Sequence, residues 1–413
     1  MTKIKSRILF NSKLKRIYKD EGKFNTREVK FVLDVLENSK IKDNDYVKKL
    51  EKFFCKIYKV KYAIACNSGT SGLHSALFSL NLKKGDEVII PGLTVVMDAY
   101  AAIHLGLKPV FCDVDPDTFL VTAENIKKKI TKKTKAIMLV SLQGLPVDID
   151  PIISLAKKYN LKIIEDNAQD VLGMYKNSLA GTKGDIGVWS FENKKHLSGA
   201  TEGGIVATNN KKFAERIRKF AGIGYKNMSA SGGRTSLSIE KVQDPNYERF
   251  DTIGLNYRMP QIVAAVCLAQ LKNAKKIVSK RRSVANIFRK QIKNCSWLIE
   301  QKIPKNVKHS HYTFAVKFIE EKLKKKVTWK KFYKKYKDFT GDGFYGACVT
   351  PHLEPPIKKF FKLKKWKTPK LNNAEKIQKQ IMQFKTNYRD LDVAKKNSLL
   401  FYKTIKYFEK KYD

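Results

Sequence analysis

Between residues 62 and 208 short apolar runs alternate with amphipathic helical stretches, and that alternation leaves few folds open. Residues 62–66, 87–90, 109–111, 136–140, 162–164, 188–191 and 205–208 read as strands. They are continuously apolar rather than alternating, the pattern of strands covered by helices on both faces. Residues 73–80, 94–105, 124–130 and 149–159 read as the intervening helices. Strand–helix units joined by right-handed crossovers build a largely parallel sheet, so the fold class is α/β. Ligands of such sheets bind at the carboxyl ends of the strands, and candidate chemistry is sought there.

The flanking segments read differently. Residues 1–23 form a basic arm without periodicity, and helices are predicted from residue 25 and again around 47–54. Residues 211–222 and 261–294 read as helices, separated by a Gly-, Ser- and Asn-rich stretch over 225–255 that is long enough to suggest a functional loop. A strand over 312–318, a helix over 329–336 and a helical terminus over 373–411 suggest a smaller α/β unit. The expected division is an arm over 1–23, a large domain over 24–280 and a small domain over 281–413.

Composition removes several function classes. The six cysteines are scattered, with no Cys-x-x-Cys pair and no histidine at ligand spacing, so neither a zinc site nor a disulfide framework is expected and no metal is assigned. No apolar run reaches the length of a membrane span, and the N-terminal residues lack the apolar core of a secretory signal, so the expected location is the cytoplasm. The net charge of +44 comes from 83 Lys and Arg against 39 Asp and Glu. It is mostly lysine spread along helix faces, not arginine interleaved with aromatics, which argues for a basic surface and against a nucleic-acid grip.

Three features stand at predicted strand ends. Asn67-Ser-Gly-Thr-Ser-Gly72 joins a strand to a helix start, where free N–H groups, the helix dipole and the Thr70 and Ser71 hydroxyls would bind an anion. The same residues also make a good turn and cap. Asp166 follows the strand over 162–164 and could pair a cation, act as a base or cap a turn. Ser190 closes another strand, and Lys194 and Lys195 follow on a loop where a plain solvated pair is the alternative. Taken together they form an anion cradle, an acid, a hydroxyl and a lysine. Pyridoxal phosphate (PLP) needs such a set: donors for its phosphate, a carboxylate for its ring nitrogen and a lysine for its aldehyde.

The order and spacing resemble the DegT/DnrJ/EryC1/StrS family of sugar aminotransferases, fold type I PLP enzymes. The matching stretches are Asn67-Ser-Gly-Thr-Ser-Gly-Leu-His74, Gly85-Asp-Glu-Val-Ile-Ile-Pro91, Pro109-Val-Phe-Cys-Asp-Val-Asp-Pro116, Ile164-Glu-Asp-Asn-Ala-Gln169, Ser190-Phe-Glu-Asn-Lys-Lys-His-Leu197 and Gly254-Leu-Asn-Tyr-Arg-Met259. The resemblance implies that Lys195 is the Schiff-base lysine and proton shuttle, with Lys194 a bystander. It implies that Asp166 pairs with the pyridine nitrogen and Gln169 lies by the phenolic oxygen. Gly69, Thr70, Ser71 and Ser190 would hold the phosphate, with Asn256 reaching it from a second subunit of a homodimer. His352 would flank the substrate mouth. The implied reaction moves an amino group from an amino acid, by family expectation L-glutamate, to a nucleotide-linked keto-sugar, in amino-sugar and surface-polysaccharide biosynthesis. Dehydration or deoxygenation of a sugar on the same scaffold, and a non-catalytic basic binding protein, are the alternatives. Two departures bear on substrate and cofactor. Val95 follows Thr94 where the family usually has an aromatic that stacks on the cofactor ring, and Asn44-Asp45 replaces a Gly-Pro near the sugar pocket.

Overall fold

The computed structural model describes residues 24–37, 45–232, 238–324, 327–346 and 348–412. The arm expected over 1–23 and Asn44 lie outside the described residues. The central sheet has seven strands: β1 (Tyr62–Cys66), β2 (Glu87–Pro91), β3 (Lys108–Cys112), β4 (Thr134–Val140), β5 (Lys162–Asp166), β8 (Ile186–Ser190) and β9 (Gly204–Thr208). A small hairpin, β6 (Met174–Tyr175) and β7 (Ser178–Leu179), which the sequence pattern did not reveal, precedes β8. The spatial order is β1-β9-β8-β5-β4-β2-β3, and β9 alone runs against its neighbours.

Register decides which residues share an edge. Val140, Asp166 and Val188 lie side by side across β4, β5 and β8, and Ser190 and Cys66 both face Gly204 of β9. The carboxyl ends of β1, β5 and β8 therefore open on one side of the sheet. Buried Val, Ile and Ala side chains line both faces, as the unbroken apolar runs require. A second packing centre lies between the sheet and the helices Tyr46–Tyr58 and Gln261–Lys272. There the Trp189 ring meets Phe54 and Tyr58 edge-on, each at 4.8 Å between centroids.

Arg218, on the helix Lys211–Ala221, forms a two-pronged ion pair with Glu51, with contacts of 3.0 and 2.9 Å. Glu51 also accepts the Ala65 N–H, and Arg218 donates to the Ala63 carbonyl, so the pair ties two helices to β1.

The C-terminal third builds a three-stranded antiparallel sheet from β10 (Leu298–Glu300), β12 (Thr313–Phe318) and β13 (Ile381–Lys385), while β11 (Val307–Lys308) joins the hairpin. A third core of Phe288, Trp297, Phe332, Phe384 and Phe401 fills it. We propose the domain division at residues 280/281, supported by the start of this core at Val284. The helices Pro355–Leu363 and Asn372–Gln380 nonetheless pack Ile357, Phe361 and Ile377 onto the first core.

Several expected boundaries shift. The terminal stretch is not continuously helical: β13 interrupts it between Asn372–Gln380 and Leu391–Tyr412, because Met382 and Phe384 are buried in pairing with β12. The helix expected over 261–294 breaks at Asn273 into Gln261–Lys272 and Ala274–Gln291. The helix expected from residue 94 starts at Met97, since the Thr94 backbone is paired to Val349. The described part of 225–255 carries a short helix, Ile239–Gln243, and a bridge between Tyr225 and Phe250.

Candidate active site

The phosphate-binding candidate is built where β1 turns into the helix Gly69–Ser79. Ser68 caps that helix: its Oγ accepts the Ser71 N–H at 3.0 Å, while Ser71 Oγ accepts the Ser68 N–H at 3.1 Å. This reciprocal cap commits Ser71, whose hydroxyl donates to the Ser68 carbonyl at 2.8 Å. Ser71 thus shapes the turn, and the expectation that its hydroxyl meets a phosphate has a competing claim in the cap. Thr70 is exposed on the first turn, and the N–H groups of Gly69 and Thr70 precede the first intrahelical bonds at the positive end of the dipole.

Ser190, at the end of β8, closes against this turn. A Cβ on Gly69 would come within 2.8 Å of the Ser190 Cβ and 3.2 Å of its Oγ, so glycine is what lets the hydroxyl approach the helix start. Ser190 Oγ accepts the Glu192 N–H at 3.2 Å, which leaves its own proton to donate. Gly69→Val should therefore push the two strand ends apart and weaken PLP binding by about tenfold or more, readable by equilibrium dialysis against the wild type.

Asp166 ends β5 and is 2 % exposed. Its Oδ1 accepts the Ala168 N–H at 2.8 Å. Burial raises its pKa, opposed by the Ala168 N–H, the Lys195 charge and a hydrogen bond with Asp98. Asp98 was not foreseen. It lies on the helix Met97–His104, fully buried, and accepts from Thr94 Oγ1 at 2.5 Å. Gln169 is buried, and its Oε1 accepts the Gln143 N–H at 2.8 Å, which fixes the side-chain amide near the same strand end.

The two lysines part company. Lys194 is exposed, whereas Lys195 is half-buried with Nζ 4.9 Å from the centre of the Tyr312 ring. Burial lowers the Lys195 pKa, while Asp166, Glu192, Glu202 and Asp98 pull it back up. Burial favours the neutral amine that a base needs, and the carboxylates oppose it. Tyr312 was read only as a strand residue, so its place under the lysine was not legible from its own neighbourhood.

Two candidates stand apart from this set. Asn256 is exposed, and its Oδ1 accepts from Arg258 Nε at 3.0 Å rather than facing the cradle of its own chain. Its backbone carbonyl accepts from Asn67 Nδ2 at 3.4 Å. His352 is not at a mouth: it is 0 % exposed, 3.2 Å from Glu375 through Nε2 and packed near Phe111. A histidine before a Pro-rich helix start served packing here, and a sequence match cannot separate that from contact with substrate.

Beside Lys195 opens a cleft of about 1040 Å³ lined by Arg27, Lys276, Lys280, Arg281 and Arg389 among others. Among the described residues no acidic side chain lines it. The residues fit PLP: an anion cradle that a Cβ on Gly69 would fill, a buried carboxylate and a buried lysine converge from three strand ends.

Known proteins identify the family. Residues 23–391 match the DegT/DnrJ/EryC1/StrS aminotransferase family model. The chain is 37% identical over 291 residues to a GDP-perosamine synthase of Escherichia coli O157:H7, covering 70% of this chain and 74% of that one. It is 35% identical over 283 residues to a GDP-perosamine synthase of Caulobacter vibrioides, covering 68% and 71%. The fold superimposes on an aminotransferase from Psychrobacter cryohalolentis with a TM-score of 0.83 at 27% identity, covering 95% of this chain and 100% of that one. The chain belongs to the DegT/DnrJ/EryC1/StrS aminotransferase family and is a PLP-dependent sugar aminotransferase.

Proposed function

We propose that the amino acceptor is a GDP-linked keto-sugar, that the amino donor is L-glutamate and that the working unit is a homodimer with shared active sites. The observation that carries the acceptor is the basic cleft beside Lys195, with no acidic lining among the described residues and a fit for a diphosphate, together with the likeness to GDP-perosamine synthases.

When bound, PLP supplies an electron sink for the carbon that carries the transferred nitrogen. The chain's own residues do the rest. The Gly69 and Thr70 N–H groups and the Thr70 and Ser190 hydroxyls bind the phosphate. Asp166 holds the proton on the ring nitrogen. Lys195, whose pKa burial lowers, would in its free-amine form take a proton from the donor α-carbon through Nζ and later return one to the sugar carbon that accepts nitrogen. A lysine at position 195 supplies the amine that a Schiff base with PLP needs, which favours transamination over dehydration. We place this work in the cytoplasm; among the described residues no helix is long and apolar enough to cross a membrane.

The substrate is tested by incubating the PLP-loaded protein and L-glutamate with GDP-, UDP- and dTDP-linked keto-sugars and weighing the products. The expected result is an amino sugar from the GDP compound. Formation from only the UDP or dTDP compound contradicts the nucleotide assignment. Lys276→Glu, on the cleft wall, should raise KM for the nucleotide sugar roughly tenfold with little change in kcat, and the effect should shrink in salt.

The dimer proposal draws on Asn256 facing outward and on its exposed apolar company: Phe250 at 50%, Ile253 at 96% and Leu255 at 41% exposure. Asn256→Ala and Lys195→Ala proteins should each be inactive or nearly so. Mixed and re-equilibrated, they should regain activity, because a hybrid dimer has one site with neither change. No recovery in a mixture shown to exchange subunits contradicts shared sites.

A further inference from the structure

Asp98 is fully buried, and its two oxygens are unequally served. Oδ2 accepts the Thr94 hydroxyl at 2.5 Å. Thr94 is itself fully buried and pinned by backbone bonds to Val349 of 3.1 and 2.8 Å, so its hydroxyl has a fixed aim. Oδ1 is buried with no hydrogen-bond donor among the described residues. A carboxylate oxygen left that way is costly, and the cost disappears if the oxygen carries a proton and donates. The acceptor within reach is the carboxylate of Asp166, the group that the cofactor's ring nitrogen would face.

We propose that Asp98 is a positioning residue: a neutral carboxyl whose Oδ1 donates a hydrogen bond to Asp166 and holds that carboxylate, ionised and correctly turned, for the ring nitrogen of PLP. Two buried carboxylates in contact cannot both ionise, and one proton between them is the stable arrangement. The environment divides the roles. Burial and the Asp166 charge push Asp98 well above the ordinary carboxylate range. Asp166 is the better anion, since the Ala168 N–H, Lys195 and the Asp98 bond all favour its charged form. The proton sits on Asp98 Oδ1, the oxygen that has no donor among the described residues. The Thr94 hydroxyl prevents Asp98 from turning the wrong oxygen toward its neighbour. Asp166 thereby gains a second donor beside the Ala168 N–H, which fixes its plane without adding charge.

The proposal rests on Asp166 serving the ring nitrogen, and the first arm of its test does not depend on that. An infrared difference spectrum is taken between cofactor-free wild type and Asp98→Asn. The expected result is loss of a neutral carboxylic-acid C=O band in the variant. Glu165 and Asp170, also buried acids with raised pKa, cancel in the difference. No such band lost means Asp98 is ionised and overturns the proposal. The second arm measures PLP dissociation constants. Asp98→Asn, which keeps an N–H donor toward Asp166 and an oxygen for Thr94, should bind within about threefold of wild type, and Asp98→Ala at least about tenfold more weakly, the size of one hydrogen bond to a charged group. In an Asp166→Ala background the Asp98→Ala loss should vanish. Equal losses in Asn and Ala, or an undiminished loss without Asp166, overturn it. Should Asp98→Ala fail to fold, the Asp98→Asn affinity and the infrared band decide.

Discussion

Lys195→Ala is expected to lower turnover by roughly four orders of magnitude, the upper range for loss of a positioned acid–base group, while leaving the fold intact. The side chain lies on the loop after β8, half-buried over Tyr312, and its amine makes no structural ion pair among the described residues. On the roles proposed for it, what is lost is chemistry: the covalent tether to PLP and the base that moves the α-proton. Lys194→Ala should keep the visible chromophore and most of the turnover at saturating substrate, since Lys194 points to solvent. The check is turnover and visible absorbance for both variants at matched PLP occupancy. A loss shared equally by the two lysines would mean that the loop as a whole, not one amine, carries the effect.

Arg218→Ala should cost about 3–5 kcal/mol in folding stability, because it strands a buried carboxylate. Side-chain exposure is 12% for Arg218 and 11% for Glu51, so water does little to replace the lost partner. Glu51 would keep the Ala65 N–H but lose both guanidinium contacts, and the Ala63 carbonyl would lose its side-chain donor. Replacing both members with apolar residues, as in Glu51→Leu with Arg218→Met, should recover part of the loss, since no charge is then stranded. Urea unfolding of the cofactor-free proteins measures both. Equal costs for the single and double variants would place the effect in packing and not in the stranded charge.

The sheet was legible because its strands are unbroken apolar runs flanked by turn residues, and the site was legible because its residues stand at the ends of those runs. What escaped had physical reasons. β13 is a five-residue strand between two amphipathic helices, too short for its period to show. Ser71 could not be assigned to cap or phosphate from sequence, because capping and anion binding use the same residues at a helix start. Asn256 and the phosphate loop are far apart in sequence, and only family resemblance linked them. Asp98 did leave a trace. It is the single acid in Met97-Asp-Ala-Tyr-Ala-Ala-Ile-His104, a helix otherwise suited to the interior, and an acid there needs a buried partner. The partner, Asp166, is brought to it only by the neighbouring strands.

The central claim, that Lys195 moves the donor's α-proton in amino transfer, is tested most directly by following loss of deuterium from α-deuterated L-glutamate together with 2-oxoglutarate formation. The account predicts that the PLP-loaded wild type releases the α-deuterium and forms 2-oxoglutarate, and that Lys195→Ala with PLP at the same occupancy does neither at a comparable rate. Exchange in Lys195→Ala at the wild-type rate would contradict it.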